Sequence, residues 1–141
     1  VASFVDTNIL VYALIADIRE SRAKVDTARA LVAGLIHSSE LRLSAQVLSE
    51  FAMTAMKKGK PPLSASETLI QIDLLSRQQV VPIDASLVRL AVDRVQTSRI
   101  SYWDALIVEA AIQSGATILY TEDMHHGMRY ETLELRNPFL P

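Results

Sequence analysis

Cysteine is absent from the 141 residues. That removes disulfide frameworks, thiolate zinc sites, iron–sulfur clusters and cysteine nucleophiles together, and fits a reducing compartment, so a cytoplasmic protein is expected. Glycine is scarce, with four residues, none in G-x-G-x-x-G or P-loop spacing, which leaves no phosphate-cradling loop. No Ser-His-Asp order is readable either. Positive charge is not in excess: 14 basic against 16 acidic residues give a net charge of -2, which argues against broad, charge-driven coating of nucleic acid. Long apolar runs are also missing. Asp6, Asp17 and Glu109 break the longest stretches, and no basic segment leads into an apolar one, so neither a membrane span nor a secretory signal is expected.

What is present suits one compact domain over residues 1–141, with half of the residues apolar and about a fifth charged. Ser3-Phe4-Val5, Leu41-Arg42-Leu43-Ser44, Val80-Val81-Pro82-Ile83 and Thr117-Ile118-Leu119-Tyr120 read as short strands, with a weaker fifth at residues 131–136. Lys57-Lys58-Gly59-Lys60-Pro61-Pro62 reads as a helix end and turn. Ala28, Leu31, Val32, Leu35 and Ile36 mark one amphipathic helix, and Leu87, Leu90, Ala91 and Val95 a second. Residues 105–112 are apolar almost all round, as expected of a helix buried against several neighbours. Strands separated by helices imply parallel pairing and an α/β fold, a three-layer α/β/α sandwich around a central parallel sheet.

In such a sandwich ligands bind beyond the carboxyl ends of the strands. Six of the 16 acidic residues fall at that edge: Asp6, Glu50, Asp84, Asp104, Glu122 and Asp123. Each has an ordinary reading as well. Asp6 and Asp84 suit helix N-caps, Ser101 and Asp104 have the spacing of a capping box, and Glu122 suits a solvated turn. Glu50, between Leu48 and Phe51, is expected to approach the core. Several carboxylates brought together repel one another unless a cation neutralises them. Hard oxygen donors select Mg²⁺ or Mn²⁺ over zinc, and such an ion polarises a phosphoryl oxygen and activates water for phosphodiester hydrolysis. With four carboxylates committed to an ion, the rest of the surface is slightly basic.

Val5-Asp6-Thr7-Asn8-Ile9-Leu10, Ser49-Glu50-Phe51, Tyr102-Trp103-Asp104-Ala105-Leu106-Ile107 and Leu119-Tyr120-Thr121-Glu122-Asp123-Met124, in that order over nearly the whole chain, resemble the motifs of PIN-domain ribonucleases. The likeness is to the VapC-like toxins of toxin–antitoxin pairs, whose tail in one bacterial branch is similar to residues 121–127 and Asn137-Pro138-Phe139. The resemblance implies strand order 3-2-1-4-5, with Asp6, Glu50, Asp104 and Asp123 as catalytic metal ligands for Mg²⁺ or Mn²⁺. It gives Asn8 and Thr121 the task of supporting those acids by hydrogen bonds, and sets Asp84 away from the site. Motif position favours Asp123 over Glu122. An RNA substrate, a cognate antitoxin and a cytoplasmic setting follow from the same likeness.

The other polar clusters have weaker claims. Topology makes Arg19, Arg22 and Arg99 substrate-binding candidates, whereas Lys57, Lys58 and Lys60 suit a solvated helix end. His125 and His126 suit a solvent-facing turn, and Tyr102-Trp103 is expected to be core. The large apolar share suggests that residues 28–36 and 69–75 are covered by a homodimer mate or an antitoxin peptide. Two alternatives compete: a haloacid-dehalogenase-type phosphatase, which expects an Asp where Asn8 stands, and a non-catalytic α/β binding module or degenerate PIN-like scaffold in RNA processing, whose acids are only caps.

Overall fold

The computed structural model describes residues 1–15 and 20–141. Its elements run β1 (Ser3–Val5), α1 (Thr7–Leu14), α2 (Arg22–His37), β2 (Leu41–Ser44), α3 (Ala45–Lys58), α4 (Ala65–Leu75), β3 (Gln79–Val81), α5 (Ala85–Ser98), α6 (Tyr102–Gln113), β4 (Ile118–Tyr120), β5 (Arg129–Tyr130) and β6 (Leu133–Arg136). The sheet order is β3-β2-β1-β4-β6-β5. All pairs are parallel except β5 with β6. The five parallel strands therefore take the expected order, the weak fifth strand being β6.

The short antiparallel strand β5 was not legible. Tyr130 pairs with Leu133 across a two-residue turn that contains no glycine, and Glu131 takes a left-handed φ of 57° there, so the usual hairpin signal is missing.

Strands this short are held by burial rather than by length. Phe4, Val5, Leu43 and Leu119 are fully buried, because helices cover both faces of the sheet. Right-handed crossovers set α1 to α4 on one face and α5 with α6 on the other, and α5 packs closely on α6. Ala105 to Ala111 of α6 are all buried, Glu109 among them. Glu109 is matched by Arg94 of α5, whose Nε donates at 2.9 Å while Nη2 reaches Glu131 at 3.4 Å. The same guanidinium lies 5.6 Å from the Tyr130 ring centre, so one cation joins α5, α6 and the β5–β6 hairpin.

A charge left alone in such a place is expensive. Arg94→Met is expected to lower stability by about 3 kcal/mol, and adding Glu109→Leu to recover most of that loss. Chemical denaturation of the three proteins checks this; a double variant as unstable as Arg94→Met would contradict it.

Candidate active site

The chain leaves β1 toward β2 on one side and enters β4 on the other, so the crevice beyond β1 and β4 is the switch point of the sheet. Val5 and Tyr120 are paired in register, which brings Asp6 level with Thr121. Asp6 caps α1: its Oδ1 accepts from the Thr7 amide at 2.8 Å, and its Oδ2 accepts from the Thr121 hydroxyl at 2.9 Å. The Asp123 amide in turn donates to the Thr121 hydroxyl at 3.2 Å. One buried threonine thus ties the acid after β1 to the acid after β4.

Glu50 arrives from α3. Val47, Phe51 and Ala55 form the buried stripe of that helix, and Glu50 lies beside it, exposed rather than in the core as its apolar neighbours had suggested. Its Oε1 accepts from the Thr7 hydroxyl at 3.0 Å. Asp104 stands in the first turn of α6, where Ser101 caps the Asp104 amide at 3.1 Å. The capping box expected there is half made: the serine cap is present, and no bond returns from the Asp104 carboxylate.

Glu122 and Asp123 are adjacent but differently employed. Glu122 accepts from the Tyr12 hydroxyl, from Lys24 Nζ at 2.8 Å and from Asn8 Nδ2 at 3.3 Å. Asn8 also donates to Asp123 Oδ2 at 3.2 Å. Lys24 further sits 5.3 Å from the Phe139 ring centre and 5.7 Å from that of Tyr12. Asp123 has fewer donors and is exposed, on the side of Asp6 and Asp104.

Acidities follow these surroundings. Burial raises Asp6 to about 6, the Thr7 and Thr121 bonds hold it back, and the charges of Asp123 and Glu50 add to the rise. Asp123 is raised by burial and then by Glu122 and Asp104. Burial also acts to raise Glu122, but the Lys24, Tyr12 and Asn8 donors outweigh it and hold this acid low. The network therefore separates one well-neutralised carboxylate from a group that feels mutual repulsion.

Elsewhere the expectations divide. Asp84 caps α5 through the Leu87 amide at 2.8 Å, its ordinary reading. The amide of Asn137 donates to His126 Nδ1 at 3.0 Å, which gives that histidine a structural task. Lys57 and Lys58 lie in the last turn of α3, as expected of a solvated helix end. Arg22 is exposed and pairs with Asp26 at 3.1 Å; Arg99 is the exposed, left-handed cap of α5. Neither is brought to the carboxylates by a bond, and Arg19 lies outside the described residues. Trp103 departs from its reading as core, being 64% exposed, whereas Tyr102 beside it is half-buried against the core.

Thr7, Tyr12 and Lys24 went unnoticed in the sequence. Tyr12 carried a usable signal, being four residues after Asn8 on one helix face; Lys24 carried none.

Hard carboxylate oxygens from four elements are the donor set that Mg²⁺ or Mn²⁺ prefers. As the side chains stand, no three acidic or histidine side chains among the described residues lie close enough together to hold an ion. Asp6 and Glu50 accept from threonine hydroxyls and Asp123 from Asn8.

A model of the PIN domain matches residues 3–126, and the chain belongs to the PIN-domain family, a family of nucleases. Among solved structures, VapC20 of Mycobacterium tuberculosis, described as a toxin that cleaves the sarcin–ricin loop, has a TM-score of 0.60 at 18% identity over 86% of this chain and 89% of that one. VapBC2 of Rickettsia felis, bound to a DNA fragment from its promoter, has a TM-score of 0.62 at 21% identity over 96% and 97%. At these identities the fold is what is shared. No curated protein sequence matches the chain significantly.

Burial of Asp6, with the charges of Asp123 and Glu50 as smaller contributions, has a thermodynamic signature. An aspartate whose folded pKa is raised destabilises the protein above that value, and the penalty fades as pH falls from about 6 towards 3.8. Asp6→Asn removes the penalty and gives up one charged hydrogen bond, for a net gain on the order of 1 kcal/mol without metal. Melting in EDTA should show the variant several degrees more stable at pH 7.5 and no better than the parent near pH 4. An unchanged difference across that range would contradict the assignment.

Proposed function

We propose that this chain is a Mg²⁺- or Mn²⁺-dependent endoribonuclease that hydrolyses phosphodiester bonds in RNA, acting as the toxin of a toxin–antitoxin pair. The observation that carries the reading is the bond from Thr121 to Asp6, which holds the acids after β1 and β4 together at the switch point of the sheet. Asp6, Glu50, Asp104 and Asp123 would hold the ion. When bound, it would neutralise these acids and supply Lewis acidity to a phosphodiester.

The remaining work belongs to the chain. Thr121 and Thr7 orient Asp6 and Glu50, and Asn8 sets the spacing of Glu122 and Asp123 by donating to both. Lys24 cancels the charge of Glu122, so that this acid adds little to the negative charge met by a polyanionic substrate. Arg22 and Arg99 remain candidates for phosphate contact on the exposed rim.

Support for a protein partner comes from the helices. Leu69, Ile70 and Leu74 of α4, Met53 and Met56 of α3 and Ile36 of α2 are all exposed, a concentration of apolar side chains that a second copy or an antitoxin would cover. No described helix is long and apolar enough to cross a membrane.

Two measurements test this reading. Incubation of the purified protein with a mixed RNA pool is expected to give new internal ends with Mg²⁺ or Mn²⁺ and none with EDTA. Asp6→Asn and Asp104→Asn should each reduce the rate by several orders of magnitude; cleavage that survives EDTA or either substitution overturns the mechanism. Light scattering should give a dimer mass, or a complex when the neighbouring antitoxin is co-expressed. A monomer across a wide concentration range, with no protein copurifying, counts against the partner reading.

A further inference from the structure

We propose that the cavity between α3 and α6 is a nucleobase subsite, in which one unpaired base of the RNA stacks on Trp103 and offers an N–H to Gln46. The inference rests on the nuclease reading only for the class of ligand. The cavity measures about 310 Å³ and is lined by Gln46, Ser49, Glu50, Ile83 and Trp103, at the lower end of the size range for small-molecule sites.

Three features point to a flat, hydrogen-bonding occupant. Trp103 is 64% exposed on a helix whose residues from Ala105 to Ala111 are all buried. The Tyr102 ring meets it edge-on, at 5.1 Å and 71°, which steadies the indole as a platform. Gln46 is 6% exposed, and its Nε2 donates to the Trp103 carbonyl at 3.4 Å. Its Oε1 is buried without a partner among the described residues, an unmet acceptor that a ligand N–H would satisfy once the Gln46 amide turns into the cavity.

Position supplies the fourth feature. Glu50 lines the cavity and Asp104 follows Trp103 in the chain, so a base seated here delivers its own backbone phosphate to the carboxylate edge. Stacking on an aromatic plane combined with edge hydrogen bonding is how single-stranded RNA is read. A side chain of a protein partner is the competing occupant.

Trp103 is the only tryptophan of the chain beside four tyrosines, so fluorescence excited selectively in tryptophan reports on this cavity. In EDTA at low ionic strength, a short oligoadenylate RNA is expected to quench that fluorescence saturably. An abasic ribose-phosphate chain of equal length and charge should leave it unchanged. By anisotropy of a labelled oligoadenylate, Trp103→Ala should weaken binding roughly tenfold, Trp103→Phe should stay near the parent, and Gln46→Leu should lose part of the affinity. Trp103 is exposed, so its replacement leaves the fold intact.

Equal quenching by the abasic chain, no quenching by oligoadenylate, or unchanged binding in Trp103→Ala overturns the proposal. Failure to quench beside a copurifying protein that shields Trp103 does the same and assigns the cavity to that partner. With Mg²⁺ present the two readings separate. Base-dependent quenching without any RNA cleavage keeps the subsite and removes the nuclease; cleavage whose KM and preferred sites are untouched by Trp103→Ala keeps the nuclease and removes the subsite.

Discussion

The register that pairs Val5 with Tyr120 brings the acids following β1 and β4 to one edge of the sheet, and the rest of that edge is arranged around them. Thr121 links them, donating to Asp6 while accepting from the amide of Asp123. Thr7 extends the arrangement to Glu50 on α3. The hydroxyls of Thr121 and Thr7 orient Asp6 and Glu50 without cancelling their charge, and burial above all keeps Asp6 at about 6 despite two good donors. A caps-only account explains the Thr7 amide on Asp6 but not why α3 and β4 send polar side chains to the same few ångströms.

Glu122 shows the opposite treatment of an acid. Lys24 from α2 and Tyr12 and Asn8 from α1 donate to it, and the Phe139 ring from the tail lies beside Lys24, so a full charge is matched where α1, α2 and the tail meet. Two neighbouring acids in the chain thereby do different work, one joining elements and the other facing the crevice. Asn8 touches both, which couples the structural cluster to the site.

The strands were legible because each is an apolar run bounded by a polar residue or a turn, and burial on both faces demands that composition. Residues 105–112 announced a buried helix by lacking a polar face. The β5 strand escaped because its turn relies on Glu131 at positive φ instead of glycine. Topology put Asp6, Glu50, Asp84, Asp104, Glu122 and Asp123 at the ligand edge, since a residue just after a strand or early in a helix sits there, and only the family resemblance chose among them. Asp84 passed the same test and is a helix cap, which marks the limit of that criterion. Lys24 and Trp103 were hidden for a shared reason. Whether a long side chain reaches across to another element, or stands exposed on its own, depends on tertiary placement that no local pattern encodes.

The central claim is that four acids at this edge form one divalent-cation site and that Glu122 is not among them. Titration of free Mn²⁺ by electron paramagnetic resonance tests it without reference to any substrate. The parent protein should bind Mn²⁺ saturably, Asp6→Asn and Asp123→Asn should lose that binding, and Glu122→Gln should keep it within a few fold. Retained binding in Asp6→Asn, or loss in Glu122→Gln with retention in Asp123→Asn, would contradict the account.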